Sequence, residues 1–332
     1  MAHQHLKSAC CRALVIRYGG KRRQCIKCRT TWTVRPKKRG RKPAKPPRGL
    51  IESYFVHDTP NVRSLARRLG CGRDRAQRLL MKSLVRHVSM HSSDWSKKIP
   101  RRGTLIVVAD AIWHWLKDKK ITIYILLLRP RKDAAALLCP PFFAFGHETA
   151  GGWRDALRSL PNQMLARIRG LVCDGHVALV AMGKRRHWKV QRCHFHLLAN
   201  LQMYLGPRQH PRTIAILSLV RQLITTIDEP LITRTLARIG VLKSHSNSRG
   251  IRRVLSGLET NYRDFQTYLR YPKLNLPTTS NSAESCINGV RDLMRRCRGF
   301  RSLRALQLWV NGYMMWKKTI RCSGKHQQKK SV

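Results

Sequence analysis

Apolar residues follow two rhythms along this chain. Between residues 105 and 173 they gather in short runs separated by charged or glycine-bearing breaks: "LIVVA" at 105–109, "ITIYILLL" at 121–128, "FFAF" at 142–145 and "LVC" at 171–173. Such runs, rich in β-branched and large apolar side chains, predict strands of a buried sheet. The first strand is read as ending at Asp110, with a charged turn over Lys117–Lys120 before the second. A helix is expected at about 153–160, a short helix after Asp174, and a further strand near Val190. Upstream, Val62, Leu65, Ala66 and Leu69 recur at helical spacing, Gly70–Gly72 interrupts, and a second amphipathic run extends from Arg73 to Leu84. The fold class these patterns predict is α/β, preceded by a small hairpin and a helix pair.

Composition turns this outline toward a class of partner. At 332 residues and 42% hydrophobic, the chain can bury a sizeable core and form more than one domain. Lys and Arg number 67 against 16 Asp and Glu, a formal net charge of +51. A packed protein with that much self-repulsion calls for a polyanion to relieve it, and nucleic acid is the first candidate. A basic membrane-surface protein would carry an amphipathic anchor or a lipidation signal, and neither is visible; "ITIYILLL" is strand-sized. With a polar N-terminus and no secretory pattern, a cytoplasmic, nucleoid-associated location is expected. The 11 cysteines then read as thiols or metal ligands rather than a disulfide framework.

Residues 1–50 hold 16 Lys or Arg and no acid. Within them, Cys25 and Cys28 can offer two sulfurs on one turn to a tetrahedral zinc, with Cys10 and Cys11 as the second pair across a hairpin. Together with the strand "VIRYG", this spacing resembles the zinc ribbon that opens many bacterial insertion-sequence transposases. Lys7 and Ser8 stand where that pattern has its first cysteine, which leaves His3 or His5 as a substitute ligand and a hairpin with free thiols as the alternative. The stretch "RPKKRGRKPAKPPRG" at 35–49 is too proline-rich for helix and too charged for burial. Its Arg39 and Arg41 resemble an AT-hook entering an A·T minor groove; a plain tether is the other reading. In the helix pair that follows, Arg73, Arg75, Gln77 and Arg78 would face a DNA major groove if it is a helix-turn-helix, whereas an αα-hairpin would only pack.

Acids are scarce enough for each to be questioned. Asp174 closes an apolar run, as a turn or cap residue does, or as a metal ligand does. Asp110 also sits in an apolar strand. The order strand, strand, strand, helix, strand, helix, strand is that of an RNase H-like core, in which the strands of Asp110 and Asp174 lie side by side and bring both carboxylates to one edge of the sheet. They would repel unless a cation sat between them, and Mg2+ prefers such oxygen donors. Two ions about 3.5–4 Å apart can activate a nucleophile and stabilise a leaving oxygen at a phosphodiester. Among the remaining acids, Glu148 and Asp155 suit helix caps, and Glu259 and Asp264 suit a solvated helix. Glu284 remains, with Asp292: it lies just inside a predicted helix, with Asn288, Arg291 and Arg295 on much the same face.

Asp110 in "VVADAIW", Asp174 in "LVCDGHVAL" and Glu284 in "TTSNSAESCINGVRDLMRRCRG" resemble the DDE triad of RNase H-like transposases, in particular the Mutator-like group and its bacterial insertion-sequence relatives. "QRCHFHLLANL" resembles the Cys-x2-His signature of that group, as Cys193 and His196, which are assigned here to supporting the core. The resemblance spans about 100–315. It implies a division into a zinc-ribbon-like 1–34, a basic linker 35–50, a helix-turn-helix 51–100, a first core part 101–196, a helical insertion 197–277, a core helix region 278–318 and a basic tail 319–332. It also implies a DNA transposase that binds terminal inverted repeats, frees a 3′-hydroxyl and joins it to target DNA. Asp110, Asp174 and Glu284 would hold two Mg2+ ions, Arg291 and Arg295 would contact DNA, and the chain would act as a homodimer or larger. A domesticated DNA-binding protein without catalysis, and an RNase H-like nuclease without strand transfer, are the alternatives.

Overall fold

The computed structural model describes residues 7–8, 10–33, 46–56, 61–92, 95–206, 210–297, 299–300 and 302–322. His3, His5, Arg39, Arg41 and most of the basic tail lie outside the described residues. The chain divides into two compact units, Met1–Lys45 and Pro46–Val332. In the first unit, β1 (Val15–Arg17), β2 (Arg22–Cys25) and β3 (Thr31–Thr33) form a three-stranded antiparallel sheet in chain order.

The second unit opens with α1 (Leu50–Val56), α2 (Val62–Arg68) and α3 (Arg73–His91). Asn61 starts α2 by accepting the Ser64 N–H, and Gly70, at φ +56°, turns the chain between the two later helices. The buried stripe of α3, Ala76, Leu80 and Leu84, faces the protein, which leaves Arg73, Arg75, Gln77 and Arg78 exposed. These three helices share one core with the sheet rather than forming a separate body.

The sheet is built from β4 (Leu105–Leu116), β5 (Lys119–Pro130), β6 (Ala135–Leu138), β7 (Phe142–Phe145), β8 (Ile168–Cys173), β9 (Lys189–Arg192) and β10 (Thr319–Arg321). Its order is β10-β6-β5-β4-β8-β9, with β7 paired to the other end of β5. The β4–β8 and β8–β9 pairs are parallel and the rest antiparallel. One expectation is corrected: β4 does not stop at Asp110. It pairs with β5 without interruption from Leu105↔Pro130 to Leu116↔Lys119, so the turn is Lys117–Asp118 alone and Lys119 and Lys120 already belong to β5. Unbroken cross-strand pairing holds polar residues in a strand that their propensity alone would not. β4 and β8 lie side by side, as expected, and are inner strands of the sheet.

Between the strands lie α4 (Ala150–Arg158), α5 (Asn162–Leu165) and α6 (Val177–Arg185). After β9 come α7 (His194–Gln202), α8 (Pro211–Thr225), α9 (Glu229–Ser244), α10 (Arg249–Phe265) and α11 (Thr267–Arg270), followed by α12 (Asn281–Arg296) and α13 (Leu303–Lys317). One sheet face, with Ile106, Val108, Ile112, Ile123, Ile125 and Val172, packs on α1–α3, α12 and α13. The other, with Leu105, Val107, Ala109, Leu126 and Leu171, packs on α4 and α6. Leucines and isoleucines of α7–α10 form a third cluster of their own. No described helix is long and apolar enough to cross a membrane.

Candidate active site

Strand alternation decides which way Asp110 faces. Ile106, Val108 and Ile112 point to the α12 side, so Asp110, between the last two, points there as well. On β8, Val172 faces the same side, and Asp174 is two residues further on. Val108 pairs with Val172 in the parallel ladder, and continuing that register by two residues sets Asp110 beside Asp174. From above, α12 buries Ala283, Cys286, Ile287 and Val290 on this face and brings in Glu284, half-buried at the start of the helix. All three acids therefore meet on one side of the sheet, over the junction of β4 and β8.

The electrostatics of this junction are unfavourable for charge. Asp110 is 7% exposed; its Oδ1 accepts the Ala111 N–H at 2.8 Å, and its Oδ2 is buried without a partner. Burial, and after it the neighbouring Asp174, raises the Asp110 carboxyl from the ordinary 3.8 to about 7. Ligating atoms of Asp110, Glu284 and His196 all lie within 4.8 Å of one another. An orphaned carboxylate oxygen beside two further acids fits a hard divalent cation, whose charge would offset the repulsion. Glu284 is held in place by Arg291, with Nη1 at 3.2 Å from its Oε1, and Arg291 also bonds Asn288. Further along α12, Arg295 is exposed and pairs with Asp292.

Asp174 also does what a turn residue does: its Oδ1 accepts the His176 N–H at 2.9 Å. Between them Gly175 sits at φ +105°, and a side chain there would run into the Arg192 guanidinium, so the turn that aims Asp174 depends on glycine.

Cys193 and His196 stand at the seam between the two later acids. The Cys193 N–H donates to the Cys173 carbonyl at 2.8 Å, next to Asp174 in sequence, and its Sγ accepts the N–H of Ser280, the residue that starts α12, at 3.2 Å. His196 Nδ1 lies 3.3 Å from Ser280 Oγ. Burial pushes the Cys193 thiol up, but bonds from His196 and Ser280 outweigh it and hold it below its usual value, while the bond to Cys193 raises His196 to about 9. The imidazole is thus cationic at neutral pH, close to Asp110 and Asp174.

Sequence reasoning missed a second ring of contacts. Glu148 is not a helix cap: Thr149 takes that role on α4 by accepting the Gly152 N–H, and Glu148 turns inward. It accepts the Trp153 indole N–H at 2.6 Å and stands 3.7 Å from His176 Nε2, and burial raises its carboxyl. The usable signal was the adjacent Glu148-Thr149 pair, since threonine is the better N-cap.

In the first unit, the sulfurs of Cys10, Cys11, Cys25 and Cys28 lie within 4.8 Å of one another. Ser8, in the place of the missing cysteine, donates to Cys25 Sγ at 3.2 Å and lowers that thiol. Thr30 is the main cause of a drop in Cys28 to about 6. Four sulfurs this close suit a tetrahedral Zn2+ site; without a metal the bond to Cys28 pushes the Cys11 thiol up to about 12.

A family model described as "Transposase, Mutator family" matches residues 142–307, half of the chain. The matched stretch takes in Asp174, Cys193, His196 and Glu284 and begins after Asp110. No curated protein matches the chain.

Proposed function

Since the chain belongs to the Mutator family of transposases, we propose that it cuts and joins DNA at the ends of its element, with Asp110, Asp174 and Glu284 as the DDE acids of an RNase H-like core. The observation that carries the proposal is the parallel β4–β8 register, which sets Asp110 beside Asp174 on the face that α12 covers with Glu284. These carboxylates would hold Mg2+, which when bound would favour ionisation of the attacking hydroxyl and stabilise the leaving oxygen.

The protein's own groups do the rest. Asp110 keeps an unsatisfied oxygen directed into the site, Arg291 holds Glu284, and the Gly175 turn fixes Asp174. His196, positively charged through its bond to Cys193, offsets the crowded acids, while Cys193, bonded to Cys173 and to Ser280, ties the end of β8 to the start of α12. In the first step water attacks a phosphodiester at the element end, leaving a 3′-hydroxyl and a 5′-phosphate. In the second, that 3′-hydroxyl attacks a target phosphodiester, the new strand joint forms, and a target 3′-hydroxyl leaves. Arg73, Arg75, Gln77 and Arg78 on α3 would read terminal repeats as a helix-turn-helix, Arg39 and Arg41 would enter the minor groove, and Arg291 and Arg295 would contact phosphates. The first unit would act as a Zn2+-bound ribbon through Cys10, Cys11, Cys25 and Cys28, α7–α11 as the helical insertion, and a homodimer would pair two ends.

The test is incubation of the protein with Mg2+ and supercoiled DNA carrying the element ends. Cutting and joining are expected, both lost in Asp110→Asn, Asp174→Asn and Glu284→Gln without additivity, and both kept in Asp292→Asn. Asparagine at 174 retains the acceptor for the His176 N–H, so the turn survives while the charge is lost. Cutting without joining would reduce the protein to a nuclease, no reaction would leave a DNA-binding protein, and a fully active Asp174→Asn would remove the metal-site reading.

A further inference from the structure

The outer half of the β4–β5 hairpin is not used by the cleavage reading. Past Val108, no strand among the described residues pairs with β4 on its β8 side, while β5 accompanies it to Leu116. On the face shared with Asp110 the cover continues: Ile112 and Leu116 are buried, and the His114 ring lies 6.1 Å from that of Phe300. On the opposite face the cover runs out. There α4 and α6 lie over Leu105, Val107 and Ala109, but Trp113 and Trp115 are 58% and 54% exposed. Lys120 Nζ stands 4.9 Å from the Trp113 ring centroid and 3.0 Å from His147 Nδ1. Lys117 and Asp118 make the exposed hairpin tip, and Lys119, paired with Leu116, lies on the face away from the indoles.

Two large aromatic rings on one face, exposed to water with Lys120 beside them and Lys117 at the hairpin tip, invite a ligand. The rim selects among ligands. A second copy seated on this face without DNA between would set like charge against the lysines, whereas a nucleic-acid strand offers phosphates to them and flat bases to the indoles. Along a strand, three residues from Asp110 to Trp113 cover about 10 Å. A DNA strand held at the acids would need to span about that distance, past the part of β4 that no described strand pairs on its β8 side, to reach the indoles.

We propose that Trp113 and Trp115, with Lys120 beside them, form a stacking ledge for an unpaired base of the DNA strand next to the cut. The proposal rests on the DNA-processing reading above and adds a site to it. Paired bases inside a duplex hide their faces, so the ledge distinguishes a frayed or tailed end from a blunt one.

The experiment uses the full chain in EDTA, to prevent cutting, and follows anisotropy of labelled duplexes that are blunt or carry a short single-stranded tail. The wild type is expected to bind the tailed duplex about tenfold more tightly, within the range that base–aromatic stacking supplies. A Trp113→Ala/Trp115→Ala double variant should lose that preference and keep its blunt-duplex affinity, which also shows that it folds; Trp113→Tyr/Trp115→Tyr should keep most of the preference. A preference that survives the alanine variant, or its absence in the wild type, overturns the ledge alone. So does an alanine variant that shifts the protein from dimer to monomer by light scattering, because the ledge is then a contact between copies. A wild type that binds neither duplex overturns the ledge together with the DNA reading beneath it.

Discussion

Asp110→Asn should make the metal-free protein more stable at alkaline pH, and the size of the gain follows from the burial of the carboxyl. Burial and Asp174 raise the group from 3.8 to about 7 in the folded protein. Between those values the folded state holds a proton that the unfolded chain releases, so stability falls as pH rises through this window. At about 1.4 kcal/mol per pH unit, the loss is complete above pH 7 and amounts to about 4 kcal/mol, with no loss below the unfolded value. Asparagine cannot ionise and keeps an acceptor for the Ala111 N–H. Its amide N–H2 is buried where Oδ2 has no partner, which costs about 1–3 kcal/mol. A net gain of about 2 kcal/mol is expected at pH 8, shrinking to nothing or reversing at pH 5. Urea denaturation in EDTA at the two pH values measures it. Millimolar Mg2+ should then stabilise the wild type and leave the variant unmoved, since a ligand stabilises only the state that binds it. A variant less stable than the wild type by the same amount at both pH values would refute the reasoning, because Asp110 would then be an ordinary structural residue.

The elements of the sheet were legible where apolar runs were long, and their ends were not. "ITIYILLL" marks a strand on its own, but nothing local says that Trp113, His114 and Trp115 continue β4, because that extension is decided by pairing with Thr122, Ile121 and Lys120 across the hairpin. β6 and β10 were missed for the same reason: three or four residues become a strand only beside a partner. At the site, scarcity made Asp110, Asp174 and Glu284 stand out, since an acid in an apolar strand of so basic a chain has few bland explanations. The roles of Cys193 and His196 were hidden because they depend on Ser280, more than 80 residues away in sequence and bonded to both. Glu148 was hidden by a rule that held one residue later, at Thr149.

Variants in other parts of the molecule test the zinc reading and the packing. Replacing Cys25 and Cys28 together by serine should abolish about one equivalent of Zn2+ per full-length chain, measured by chelator release; full zinc content in the variant would mean that the ligands lie elsewhere. Gly289→Ala and Gly257→Ala make the same chemical change in two helices and should have opposite signs. Alanine gains about 1 kcal/mol over glycine in either helix. Around Gly257 nothing lies within 4 Å of the new methyl, so thermal stability should rise. At Gly289 the methyl would collide with the hydroxyl end of Tyr313, a buried ring that cannot swing aside as a flexible chain does, and such overpacking costs about 1–3 kcal/mol. The net effect there is a loss, and because relief requires α12 to shift, Glu284 moves with it and strand cutting should fall while duplex binding holds. If both alanines stabilise equally, the close approach of α12 and α13 at Tyr313 is wrong, and with it the placement of the helix that brings Glu284 to the two aspartates.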